Sequence, residues 1–182
     1  MRYYTGIGSR ETPLHITELM NRIGEICAKH NIILRSGGAE GADSAFEMGC
    51  DSVNGEKEIF IPWNNFNGRR SSMKGVYVRG DDVHSRVIAH SLHPVFDRLG
   101  RGAQALHTRN VNQVLGKDSG SPEPSSFVLF YAPETSSGNV KGGTATAVNL
   151  AKRNNIPCWN MWSNSSYDQI LDWIDSIFKE KQ

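Results

Sequence analysis

The sequence predicts one doubly wound α/β domain over residues 1–182, with a mostly parallel sheet covered by helices on both faces. Three observations predict it. A length of 182 residues suits a single α/β domain. Short apolar runs alternate with segments of helical period from end to end, without a repeat or a low-complexity tract. The run Phe127–Val128–Leu129–Phe130–Tyr131 is continuously apolar, as in a strand buried on both faces.

The elements follow in order. Tyr3–Tyr4–Thr5–Gly6–Ile7 reads as a buried strand ending in the Gly8–Ser9–Arg10 turn. Thr12 before Pro13 predicts a helix start, with proline at the first helical position and threonine as its cap. Ile16, Leu19, Ile23, Ile26 and Cys27 then recur at helical spacing, up to Lys29 and His30 in the last turn. Ile32–Ile33–Leu34 is a second strand, followed by a short helix carrying Ala45, Phe46 and Met48. Glu58–Ile59–Phe60–Ile61 is a third strand, stopped by Pro62. Asn64 to Gly80, rich in Asn, Gly, Arg and Ser, reads as a long loop. Helices follow around Ser85–Ser91 and Pro94–Leu115, and Ser119–Pro124 breaks the pattern before the central strand. Gly142–Gly143 opens a helix through Ala145, Ala147, Val148 and Ala151, and Pro157–Cys158–Trp159 is a short last strand. A final helix starts at Ser165 with Asp168 three residues on, and Ile170, Leu171, Ile174, Ile177 and Phe178 form its inner stripe.

Composition excludes several classes. No apolar run reaches the ~18–20 residues of a spanning helix, and the opening MRYYTGIGSRETP lacks the basic-then-apolar plan of a signal peptide. Cys27, Cys50 and Cys158 are scattered, which argues against a disulfide framework and for a reducing cytoplasm. The net charge of +1 conceals a basic segment: Arg69 to Arg109 holds eight basic and three acidic residues. Such a segment implies either a local anionic partner or arginines spread over a solvated face.

Three loops carry the chemistry: Thr5–Gly6–Ile7–Gly8–Ser9–Arg10, Ser36–Gly37–Gly38–Ala39–Glu40–Gly41–Ala42–Asp43 and Lys141–Gly142–Gly143–Thr144–Ala145–Thr146. Each follows a strand and precedes a helix. Right-handed crossovers gather such loops at one sheet edge, where open α/β sheets bind ligands. Glycines admit close backbone approach, and the free N–H groups of a helix's first turn favour phosphate. Hydroxyls at Ser9, Ser36, Thr144 and Thr146 would add donors. None of the loops fits GxGxxG with its ribose-binding acid or GxxxxGK[ST], which argues against NAD and against an ATPase, and no cofactor is expected. The phosphate is expected on Ser36–Gly37–Gly38 and Gly142–Gly143–Thr144, so that a bulky residue at Gly37 or Gly143 abolishes binding with the fold intact.

The GSR turn, the SGGAEGAD loop and the GGTATA helix start, in this order across Tyr3–Ala151, resemble the SLOG superfamily of Rossmann-like proteins. That superfamily includes DNA-processing protein A, the Lonely Guy phosphoribohydrolases and nucleotide-signal sensors. His107–Thr108–Arg109–Asn110 to Gly116 resembles its arginine-bearing helix, and the chain is also similar to compact, phage-carried proteins of the DNA-processing type, which would act in a host cytoplasm. The resemblance implies nucleotide or phosphate binding by Gly8, Ser9, Arg10, Ser36, Gly37, Gly38, Glu40, Asp43, Arg109, Gly142, Gly143 and Thr144. Laid on the phosphoribohydrolase motif PGGxGTxxE, the chain has Lys141 for the proline, Ala145 for a glycine and Asn149 for the glutamate. An amide is no general acid or base at neutral pH, so hydrolysis by that route is disfavoured.

Other residues have two readings each. Asp43 and Glu47 are either solvated charges at a helix N-terminus or acids that hold a ribose hydroxyl or attack an anomeric carbon, and Glu40 and Glu134 are further candidates. His84, His90, His93 and His107 cluster in one segment, but no acid or cysteine stands at ligand spacing, so no metal is expected. Trp63 and Phe66 beside Arg69 and Arg70 either stack on a base and hold its phosphate or pack under the loop. Trp159, Met161 and Trp162 form an apolar end suited to pairing subunits into a homo-oligomer. Three functions compete: a binder of a nucleotide-type small molecule, a recombination mediator binding single-stranded DNA, and a nucleoside-phosphate hydrolase. The low net charge and the lack of an appended DNA-reading module predict weak, salt-sensitive DNA binding.

Overall fold

The computed structural model describes the backbone of residues 2–179 and the side chains of residues 2–176. The strands are β1 (Tyr3–Gly8), β2 (Ile33–Ser36), β3 (Lys57–Ile61), β4 (Val76–Val78), β5 (Val128–Tyr131) and β6 (Cys158–Asn160). The helices are α1 (Leu14–Lys29), α2 (Ala42–Asp51), α3 (Val83–Leu92), α4 (Arg101–Leu115), α5 (Ala145–Arg153) and α6 (Asn164–Lys179). All six strands pair in parallel, in the order β4-β3-β2-β1-β5-β6. The chain steps outward from β1 to β4, crosses back through α3 and α4, and resumes at β5 on the other side of β1. The direction of winding reverses there, so a crevice opens beyond the carboxyl ends of β1 and β5.

Each face of the sheet has its own core. Tyr4, Leu34, Ile59, Ile61 and Leu129 pack under α1, α2 and α6. Ile7, Val128 and Phe130 pack under α3, α4 and α5. Strand β5, next to the edge strand β6 rather than at the centre of the sheet, is buried on both sides, as its unbroken apolar run requires.

Several elements differ from the sequence reading. The Asn64–Gly80 segment contains β4, a three-residue edge strand too short to leave a periodic signal. The helix expected over Pro94–Leu115 is interrupted: Phe96–Arg98 is a 3-10 turn, and α4 begins only at Arg101, after Gly100. Pro13 sits just outside α1, and the Thr12 hydroxyl donates to the Ser9 carbonyl instead of capping the helix. Met48, on α2, is 64% exposed. The last helix starts one residue early, at Asn164; Ile170 and Ile174 are buried and Leu171 is half-buried. Ile177 and Phe178 lie outside the residues whose side chains are described. The apolar end at Trp159–Trp162 is also smaller than expected. Met161 is a core residue, Trp159 is half-buried with its Nε1–H donated to Gln169, and only Trp162 stands out, at 45% exposure.

Candidate functional site

The crevice holds a cavity of about 530 Å³. Of the residues singled out in the sequence, Gly8, Ser9, Arg10, Asp43, Arg109, Gly142, Gly143 and Thr144 line it. They come from the loop after β1, the start of α2, the middle of α4 and the turn before α5. Ser36, Gly37, Gly38 and Glu40 do not line it. The Ser36 hydroxyl is buried and donates to the Gly6 carbonyl at 2.6 Å, so it ties β2 to β1 rather than facing a ligand. Glu40 points into solvent. Gly37 lies behind the site: a Cβ there would meet Arg109 Cζ and Asp43 Oδ2 at 2.8 Å each. A bulky residue at Gly37 would thus disrupt the buried polar cluster and the local fold, contrary to the sequence expectation. Gly143 is different, because a Cβ there meets nothing within 4 Å.

Asp43 is 3% exposed, not a solvated helix-terminal charge. Its Oδ1 accepts the Gly8 N–H at 3.2 Å and its Oδ2 the Ala39 N–H at 3.3 Å, which pins the loops after β1 and β2 together. Burial raises its pKa to about 6, against the opposing pull of Arg109, the two N–H groups and Arg69. Arg109 is 6% exposed. Its Nη1 donates to the Leu106 carbonyl at 3.3 Å and, by a short bond, to Asn110 Oδ1; its Nη2 donates to the Gly37 carbonyl at 3.4 Å. Its Nε has no partner. Burial lowers the Arg109 pKa to about 10, a shift opposed by Asp43 and reinforced by Arg10. Tyr4 Oη lies beside Cys27 in the core on the α1–α2 side, away from the cavity.

Two side chains of α4 hold the turn before α5. Asn110 Nδ2 donates to the Gly143 carbonyl at 2.7 Å, and His107 Nδ1 bonds Thr146 Oγ1 at 2.7 Å. Burial, with His93 and Arg109 nearby, lowers the His107 pKa to about 4, so the ring is neutral at pH 7. The N–H groups of Gly143 and Thr144 have no partner among the described residues. Gly142 holds a φ of +81°, which glycine adopts without strain. At the mouth, the exposed cations of Arg10 and Lys141 make no hydrogen bond or ion pair among the described residues.

The remaining candidates serve the scaffold. Glu47 is buried and paired with Lys57 at 2.9 Å and Arg69 at 2.6 Å, so Arg69 is an internal partner and not a phosphate ligand. Phe66 is buried against Trp63. Glu134 accepts from Asn160 Nδ2, His84 meets Ser119, and His90 pairs with Asp97. No cluster of three or more metal-ligating side chains is found among the described residues. Asn149 is exposed and outside the cavity wall. The basic segment divides likewise: Arg69, Arg79 and Arg86 are engaged by protein acceptors, while Arg70, Lys74, Arg98 and Arg101 are exposed.

The sequence reading passed over Gln113 and took His107 and Asn110 only as members of the histidine cluster and of the arginine-bearing helix. One signal could have found them. Beside the apolar face of Val111, Val114 and Leu115, the C-terminal half of α4 carries Thr108, Arg109, Asn110, Asn112 and Gln113, yet all five polar residues are buried. A polar helix that does not face solvent has a polar job.

An all-parallel sheet of this strand order, with a crevice at its switch point, defines a Rossmann-like α/β fold. No protein-family model and no curated protein matches the chain by sequence. The fold is shared with two structures of the molybdenum cofactor (Moco) carrier protein of Chlamydomonas reinhardtii. One has a TM-score of 0.54 at 14% identity over 97% of this chain and 88% of the other. The second has 0.51 at 16% identity over 97% and 86%. It is shared equally with DNA processing protein A of Helicobacter pylori, described with single-stranded DNA, at a TM-score of 0.53 and 13% identity over 98% of this chain and 81% of the other. Among the described residues no helix is long and apolar enough to cross a membrane.

Proposed function

We propose that the protein binds a nucleotide-type small molecule, with its phosphate between Arg109 and the amides before α5, and holds it without cleaving it. The observation that carries this reading is the Arg109 guanidinium: it is buried in the wall of a ligand-sized cavity and keeps a donor unsatisfied. An unmade hydrogen bond at a buried charged donor is costly, and a phosphate offers the fork-shaped acceptor set that guanidinium prefers. The unpaired N–H groups before α5 and the free cations Arg10 and Lys141 favour an anion at the same place. Binding without cleavage is supported by Asn149: where the phosphoribohydrolase pattern has its glutamate, this chain has an exposed amide outside the cavity wall.

The test is mass spectrometry of small molecules released from the purified protein, wild type beside Arg109→Ala. A phosphorylated, nucleotide-like compound retained by the wild type and lost from the variant is expected. Equal retention by both would place the ligand elsewhere. DNA binding is the competing reading, and a gel-shift titration decides it: nanomolar affinity for single-stranded DNA at physiological salt would displace the small-molecule reading.

A further inference from the structure

The wall of the cavity contains one side chain that touches both of its anion-binding elements. Asn110 is 3% exposed and uses both ends of its amide. Its Oδ1 receives Arg109 Nη1, and its Nδ2 donates to the Gly143 carbonyl at 2.7 Å. A trans peptide unit carries its C=O and N–H on opposite sides. Fixing the Gly143 carbonyl against α4 therefore turns the N–H of the same unit, that of Thr144, away from Asn110. That N–H is one of the two left without a partner. Gly142 and Gly143 offer no side chain of their own to hold this turn, and a Cβ at either would meet nothing within 4 Å. The turn is open and glycine-rich, so its orientation must be imposed from outside.

We infer that Asn110 is a positioning residue of the anion site: it locks the Arg109 fork and the Gly143–Thr144 peptide in one relative geometry, so that guanidinium and amide donate to the same oxyanion. This inference rests on the binding function proposed above. His107 repeats the device one turn earlier on α4, through Thr146 inside α5. Asn110 differs in reaching the guanidinium as well as the turn.

The test follows the backbone amides of the full chain by ¹H–¹⁵N NMR during titration with inorganic pyrophosphate, for the wild type, Asn110→Ala and Asn110→Asp. The aspartate is nearly isosteric. It keeps an acceptor for Arg109 but places an oxygen against the Gly143 carbonyl, so it serves as the folded control should alanine disturb packing. In the wild type the Gly143 and Thr144 signals are expected to shift on titration. In both variants the Thr144 response is expected to vanish and the apparent affinity to fall at least tenfold, while the amides of α1 and β3 keep their wild-type positions. A folded variant that retains the Thr144 response and wild-type affinity overturns the positioning role. A wild type whose Gly143 and Thr144 amides ignore pyrophosphate overturns the anion site itself, and the wild-type arm separates that failure from the first.

Discussion

Two buried arginines, one on each side of the Gly37 turn, meet opposite fates. Arg35 on β2 is 1% exposed and fully engaged: its Nε donates to Glu58 Oε2 at 2.8 Å, its Nη1 to the Glu123 carbonyl, and its guanidinium lies 3.7 Å from the centre of the Tyr3 ring. Lys117 approaches the other Glu58 oxygen at 3.6 Å. Arg109 on α4 is nearly as buried, yet it has no carboxylate within ion-pair distance and one donor idle. The first arginine closes a region of the fold. The second leaves one open, at the edge of a cavity. Burial alone does not distinguish a satisfied charge from an unsatisfied one; the partners do.

The comparison breaks if the two arginines respond alike to substitution. The largest effect is expected for Arg35→Met, which keeps an unbranched apolar stem but removes the guanidinium from Tyr3 and strands Glu58 with only Lys117 at its far oxygen. Removing one member of a buried pair typically costs about 3–5 kcal/mol, so urea unfolding should show a loss of that size. A loss below about 1 kcal/mol would mean that Glu58 takes up a proton or finds water, and the closed region would be softer than its geometry.

The open region also carries two groups with opposed titration. Asp43 is raised to about 6 by burial, so its folded form binds a proton that the unfolded chain releases near pH 4. Its stabilising contribution is complete below pH 4 and is lost as pH rises to 6, by up to about 3 kcal/mol. His107 is lowered to about 4, so its contribution is present above pH 6.5 and is lost as pH falls towards 4. The two slopes oppose each other across the same window. Asp43→Asn should therefore make stability climb with pH between 4 and 6.5, and His107→Gln should make it fall. Parallel curves for both variants and the wild type, measured by urea unfolding at several pH values, would show that neither group is as buried as its neighbours imply.

The sequence already held the alternation of elements, the site edge and most of the loops that reach it, because glycine-rich turns after apolar runs are local signals. It did not hold the division of labour within those loops. Ser36 and Gly38 look like ligand residues by composition, but whether a hydroxyl faces a cavity or a neighbouring carbonyl depends on the strand beside it. The paired state of Arg69 was equally hidden, since Glu47 lies 22 residues away. Strand β4 and the break at Gly100 were missed for another reason: three residues are too few to show a period, and a single glycine is a weak stop.

A smaller change in stability, with a clear change in binding, is expected at Arg109. Hydrogen bonds to charged groups are worth about 1.5–3 kcal/mol, so Arg109→Ala should weaken pyrophosphate binding at least tenfold by calorimetry. Arg109→Lys should recover part of it, as a point charge without the planar fork. The melting temperature of the ligand-free protein should drop less than in Arg35→Met, since no carboxylate loses a hydrogen-bonded partner. An equal drop would make Arg109 a second structural arginine and end the distinction.

The smallest effect is expected at Asn149, where the phosphoribohydrolase pattern has its glutamate. The side chain is exposed on α5 and takes no part in the cavity wall, whereas the carboxylates that do line the cavity, Glu11 and Asp43, come from the loop after β1 and from α2. Asn149→Glu therefore adds a solvated acid beyond reach of the site. Surface substitutions of this kind usually stay within about ±0.5 kcal/mol, so stability should hardly move. Nor should the variant gain the ability to release adenine from AMP, because a general acid must come within hydrogen-bond reach of the atom it protonates. Release above the uncatalysed rate, followed by chromatography, would mean that α5 turns its outer face inward when ligand binds. The open region would then be mobile as well as unsatisfied, and the contrast with the closed one would extend from charge pairing to motion.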